Sequence, residues 1–98
     1  MLLTARTETE INDSASIIGS AGGRASARAL DVTDRSAVQI LVNETGPFHI
    51  LLNNAGMNRP ALAVDVSESD YDEIMGLNAK AAYFTAQIVA LSMVDAGL

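Results

Sequence analysis

Phe48-His-Ile-Leu-Leu-Asn-Asn-Ala-Gly-Met-Asn-Arg-Pro60 runs from apolar side chains straight into two amides, a small residue and a glycine. A short apolar run bounded by turn formers has the form of a buried strand of a parallel sheet, here Phe48 to Asn53. In open α/β sheets ligands bind just beyond the carboxyl ends of such strands. Asn54, Ala55 and Gly56 are therefore expected to present a polar turn to a ligand.

The flanks repeat the pattern. Leu2 to Ala5 forms a strand closed by Arg6-Thr7. Thr7 can cap a helix from about Glu8 to Ser20, with Ile11, Ala15 and Ile18 on its apolar face and Gly19 to Gly23 as its stop. Ala25 to Leu30 is a second strand delivering Asp31-Val32. Thr33 is then expected to cap a helix from about Asp34 to Thr45, whose apolar side carries Ala37, Val38, Leu41 and Val42 and which ends at Gly46-Pro47. After the loop from Met57 to Val66, Ser67-Glu-Ser-Asp70 has the form of a capping box opening one long helix to about Ala96. Strands alternating with helices imply βαβ units and a parallel sheet.

The long helix is apolar nearly all round. Ile74, Leu77, Ala81, Phe84, Ile88 and Leu91 form one apolar face and Tyr83, Ala86, Val89, Ala90 and Met93 a second, with only Glu73, Lys80 and Gln87 as a polar seam. Such a helix needs cover on two sides. A homo-oligomer through the Ile74 to Val94 helix is the expected answer, and a second core layer is the alternative.

Composition narrows the function. A chain of 98 residues with 49% hydrophobic and 18% charged residues is globular and is expected to form a single domain, 1–98. Six basic residues spread singly in a chain of net charge −6 give no nucleic-acid footprint. There is no cysteine, so thiolate metal sites and cysteine nucleophiles are excluded, and a reducing, cytoplasmic setting fits. The single histidine, His49, lies inside the apolar run and reads as a tolerated strand residue, not a ligand or base; no metal site is expected. No signal peptide is visible behind Met1, and the longest apolar region, Ala81 to Val94, runs about 14 residues against the roughly 18 a membrane span needs.

Asn53-Asn54-Ala55-Gly56 after Ile-Leu-Leu resembles the motif that follows the fourth strand in the short-chain dehydrogenase/reductase family. The resemblance implies a partial Rossmann-like, doubly wound parallel α/β sheet running from the second strand through the fourth major helix. It lacks the first strand and everything after that helix. The family binds a nicotinamide cofactor and transfers hydride between a carbonyl and an alcohol. Arg6 directly follows the first strand here, where such folds test the adenosine ribose. An acid there would hold a free 2′-hydroxyl and an arginine pairs with a 2′-phosphate, so the resemblance implies NADP over NAD. Asp31 would accept from the adenine amine and Val32 would pack on the ring, although Asp31 alone reads as a turn residue. Asn78, in Met75-Gly-Leu-Asn-Ala-Lys-Ala-Ala-Tyr-Phe84, matches the helix asparagine of the Asn-Ser-Tyr-Lys catalytic set. In the family it opens the helix, and its main-chain carbonyl holds a proton-relaying water. A buried amide bonded to nearby backbone is the alternative.

Other parts of the pattern are not in these residues. Gly19 to Gly23 follows a helix, so it is a helix stop and not a phosphate-binding turn. Tyr71 has Met75 four residues on and Tyr83 has Gln87, so neither is paired with lysine. Hydride transfer would then have no proton partner. Asn58-Arg59-Pro60 and the Asn78 segment are most similar to members acting on sugars, sugar acids or 3-oxoacyl thioesters. In strand order 3-2-1-4, the Leu2 and Phe48 strands flank a gap of about 9.6 Å. The isolated chain is accordingly expected to re-pair its strands, borrow one from another copy, or be unstable. Three functions follow: a piece of an NADP-dependent oxidoreductase without activity alone, a noncatalytic nucleotide-binding module, or an oligomerising module.

Overall fold

The computed structural model describes residues 1–98. Its packing divides it into two compact units, Met1–Asp31 and Val32–Leu98.

The first unit is one βαβ turn. Strand β1 (Leu2–Ala5), helix α1 (Glu8–Ser20) and strand β2 (Ser26–Ala29) follow in order, and the strands pair in parallel with Leu2 opposite Ser26 and Ala5 opposite Ala29. Ile11, Ala15 and Ile18 are the residues of α1 that are partly covered, as their spacing requires, while Ile17 stays 70% exposed. Thr7 occupies the cap position in an extended conformation, but its side chain makes no capping bond. The far end is closed by a Schellman arrangement: Gly23 N–H donates to the Ile18 carbonyl at 2.9 Å and Gly22 N–H to that of Gly19 at 3.1 Å. Gly22 sits at φ +89°, a left-handed conformation that a Cβ would strain.

The second unit contains α2 (Arg35–Thr45), a 3-10 turn (Ala63–Asp65), α3 (Glu68–Met75), a π turn (Gly76–Ala81) and α4 (Ala82–Asp95). Asp34, and not the expected Thr33, caps α2, its carboxylate accepting from Ala37 N–H at 3.1 Å. Both residues suit a cap, and the one whose backbone is extended immediately before the first helical turn takes the role. Ser67 caps α3 as expected, its hydroxyl accepting from Asp70 N–H at 3.1 Å.

Two expectations need correction. The stretch Phe48 to Asn53 forms no strand; the only sheet is the β1–β2 pair, and Ile50 and Leu52 stand 85% exposed. β-propensity describes fit to a neighbouring strand, and without a ladder partner the run stays irregular and unpaired. The strands neither re-pair nor recruit this run. The long helix is also interrupted, by the π turn. A π turn accommodates an extra residue, and one residue rotates everything downstream by about 100° on the helical wheel. Ala81 remains buried, but the predicted continuation Phe84, Ile88, Leu91 gives way to residues one position on: Thr85 and Val89 are buried and Ser92 is partly covered. These face α2, whose Val38, Leu41 and Val42 complete the core.

Thr85 carries a buried hydroxyl with no hydrogen-bond partner. Replacing it with valine, nearly the same shape, removes the unsatisfied group, and Thr85→Val is expected to raise stability by about 1 kcal/mol. A urea midpoint shifted downward would contradict this.

Candidate functional site

The turn Asn53 to Gly56 is held from the helical side. Asn53 Nδ2 donates to the carbonyl of Ala82 at 2.8 Å, fixing the end of the apolar run against the first residue of α4. Asn78 lies inside the π turn and clamps the residue that follows the motif: its Oδ1 accepts from Met57 N–H and its Nδ2 donates to the Met57 carbonyl, each at 2.8 Å. One amide side chain thus satisfies both backbone groups of one residue, as a neighbouring strand would. A Cβ on Gly56 would stand 3.2 Å from Asn78 Oδ1, so glycine permits the close approach of turn and clamp.

Opening the helix at Asn78 has a local cause. Glycine and asparagine within three positions, Gly76 and Asn78, weaken the α register, and the asparagine side chain supplies bonds outside it. π turns recur at functional sites.

The loop after the clamp is tied down by Arg59, which pairs with Asp70 at 2.8 Å and with Glu73, both on α3. Hydrogen bonds to Asp70 and then Glu73, with the Glu73 charge behind them, raise its already high pKa. The guanidinium is solvent-exposed and stays charged, so its effect is to orient the loop. At the start of α4, Arg35 lies 3.7 Å over the Phe84 ring, and Tyr83 meets Phe84 edge-on at 5.2 Å. The sequence reading missed the Arg59 tie, the Asn53 bond and the orphan Thr85. Arg59 and Asp70 are 11 positions apart, beyond the reach of a helical spacing rule.

In the second unit, then, the structure brings Gly56 and Met57, at the end of the Asn54 to Gly56 turn, against Asn78. Asn54, Ala55 and Gly56 are all exposed, and Val32 opens this unit partly covered. In the first unit Arg6 and Asp31 stand beyond the carboxyl ends of β1 and β2, where the parallel register places them on the same sheet edge; both are exposed. Leu30 N–H, bonded to the Ala5 carbonyl at 2.9 Å, carries the pairing one step past β2. An exposed guanidinium at the carboxyl end of a strand suits a phosphate group. No helix is long and apolar enough to cross a membrane.

The family model described as short chain dehydrogenase matches residues 1–97. Gluconate 5-dehydrogenase of Gluconobacter oxydans is 34% identical over 101 residues, covering 99% of this chain and 40% of the relative. A solved structure from Agrobacterium tumefaciens, assigned as a 2-deoxy-d-gluconate 3-dehydrogenase and containing bound NADP, superposes with a TM-score of 0.85 at 38% identity, over 98% of this chain and 38% of that one. A metagenomic short-chain oxidoreductase in complex with NADP gives a TM-score of 0.85 at 26% identity, over 97% of this chain and 45% of that one. The chain thus spans about 40% of the length of the curated relative it matches.

Proposed function

The chain belongs to the short chain dehydrogenase family, and from that premise we propose that these residues are the nucleotide-facing part of a single NADP-binding domain in a cytoplasmic oxidoreductase acting on a sugar-acid type carbonyl or alcohol. They carry out no hydride transfer alone. The observation that carries this reading is Arg6, an exposed cation directly after a parallel strand and beside the Asp31 segment.

Each residue has a distinct task. Arg6 pairs with the ribose 2′-phosphate and disfavours a cofactor without it. Asp31 accepts from the adenine amine, and Val32 packs on the ring. The Asn54-Ala55-Gly56 backbone admits the cofactor closely because nothing larger than an amide projects from it. Asn78 fixes that turn, and its main-chain carbonyl, inside the π turn, is the acceptor for a proton-relaying water. The nicotinamide, when bound, supplies the hydride. Without the family's catalytic serine and Tyr-x-x-x-Lys pair among these residues the proton has no donor, so binding without turnover is the expected behaviour. Sugar-acid chemistry is supported by the gluconate relative.

Titrating the chain with NADPH and NADH by calorimetry tests this. Saturable binding that favours NADPH by about 10-fold or more, and that Arg6→Glu abolishes, is the expected result, because a charge-assisted pair with a phosphate contributes about 1.5–3 kcal/mol. A flat titration at millimolar cofactor would refute it. A homo-oligomer through the Ile74 to Val94 helix is the second element of the proposal, supported by Tyr83, Leu91 and Val94, which are 66%, 59% and 71% exposed.

A further inference from the structure

Side-chain ties fasten the chain around the motif to the helical segments, in reverse order along the two: Asn53 to the Ala82 carbonyl, Asn78 to the backbone of Met57, and Arg59 to Asp70 and Glu73. The first two bracket the Asn54 to Gly56 turn, and the Arg59 tie lies just outside it. From Asn53 to Met57 the chain can extend about 13 Å, while the helical positions from Asn78 to Ala82 rise only about 6 Å. The turn therefore bows away from the helix, and how far it does so depends on how firmly Met57 is held. Asn78 is exposed, so water competes for both of its bonds to Met57.

We propose that Arg59 is a positioning residue for the Asn54 to Gly56 turn: its ion pairs with α3 keep Met57 against Asn78, and through the turn they raise cofactor affinity. The affinity step rests on the cofactor reading above; the hold on Met57 does not.

Tether length is the main argument. While Arg59 is paired, Met57 is two residues from a fixed point and can move away by at most about 7 Å; with the pairs broken, the next residue bonded to α3 is Ser67, up to about 35 Å of chain beyond Met57. A longer tether lowers the local concentration of Met57 at Asn78, so the bonds close less often. The anchor itself is well set. Asp70 and Glu73 are neighbours on one face of α3, so both reach one guanidinium. Asp70 is held in the first turn of α3 by its N–H, which donates to the Ser67 hydroxyl at 3.1 Å. A single exposed pair is a weak fastening, and one cation shared between two carboxylates on a helix is a firmer one.

Amide exchange at Met57 in the whole chain tests the positioning role with no cofactor present. Arg59→Gln is expected to accelerate exchange at Met57 by about 3- to 10-fold, the effect of one or two exposed ion pairs, with the amides of α2 unchanged. Arg59→Lys keeps the charge and should recover most of the protection. Asp70→Asn/Glu73→Gln should reproduce the glutamine variant, and adding Arg59→Gln to it should have no further effect, because the shared interaction is already gone. Salt at about 1 M, where the screening length falls to about 3 Å, should bring the unmodified chain toward the glutamine variant and leave that variant unmoved. In calorimetry with NADPH, the glutamine variant should bind more weakly by the same factor as its exchange is faster. Unchanged Met57 exchange in Arg59→Gln, or a lysine variant as fast as the glutamine one, overturns the proposal. Faster exchange with unchanged NADPH affinity overturns the affinity step alone. An unmodified chain that binds no NADPH but shows the expected exchange overturns the cofactor reading, and with it the affinity step, while the hold of Arg59 on Met57 stands.

Discussion

Replacing Leu41 by alanine is expected to cost about 2–4 kcal/mol of stability. Leu41 is 7% exposed and shares the contact of α2 and α4 with Val38, Val42, Ala81, Thr85 and Val89, the six residues that make up the buried interior. So small an interior has few atoms that can relax into the space left by a deleted isobutyl group, which keeps the cavity open and the cost high. Its neighbour supplies the control. Ile40 is 56% exposed on the other side of the same helix, and Ile40→Ala should change stability by about 0.5 kcal/mol or less. Urea denaturation followed by circular dichroism measures both; equal midpoints would mean that the α2–α4 contact does not hold the unit together. Against a usual net stability of about 5–15 kcal/mol, the Leu41 change alone leaves an appreciable unfolded population.

Asn78→Ala is expected to release the loop without unfolding the unit. Two hydrogen bonds to Met57 are lost, worth about 0.5–1.5 kcal/mol each, while alanine regains several tenths of a kcal/mol in helix propensity. The net change of about 1–2 kcal/mol falls on one place. Amide exchange at Met57 should accelerate by about 10-fold or more, with the amides of α2 little changed. Unaltered protection at Met57 would show that the loop is held by Arg59 instead. Cofactor binding should weaken in step with the lost protection, since the Asn54 to Gly56 turn is then no longer fixed.

What the sequence disclosed depended on how local the responsible physics is. The β1–α1–β2 unit was legible because Ile11, Ala15 and Ile18 repeat at helical spacing and the strand runs are bounded by turn formers. Membership of the family was legible from the tetrapeptide at Asn53 to Gly56, whereas the local pattern read as one continuous helix and only the resemblance implied a break at Asn78. Phe48 to Asn53 has every local property of a strand, but strandedness is a property of pairs, and no local rule reports a missing partner. Thr85 escaped notice for a related reason. A wheel drawn at constant pitch cannot place a residue beyond a π turn, and the orphan hydroxyl became a core position only through that rotation. Asp34 displaced Thr33 as a cap because two competent neighbours differ by one residue of backbone, a distinction that composition does not encode.

The parallel pairing of β1 and β2 also bears on how that unit can form. Residues opposite each other in the register are separated by 24 positions, from Leu2 and Ser26 through Ala5 and Ala29, so no ladder bond is available to a short local fluctuation. Closing a flexible loop of that length carries a length-dependent entropy of about 2.8 kcal/mol. The 13 residues of α1 remove most of that freedom once helical, contracting their span to about 20 Å. Roughly 11 flexible positions then remain to be closed, which lowers the length-dependent term by about 0.7 kcal/mol. In kinetic terms the helix is a spacer that shortens the search, and the strand register is set by the number of residues it winds up.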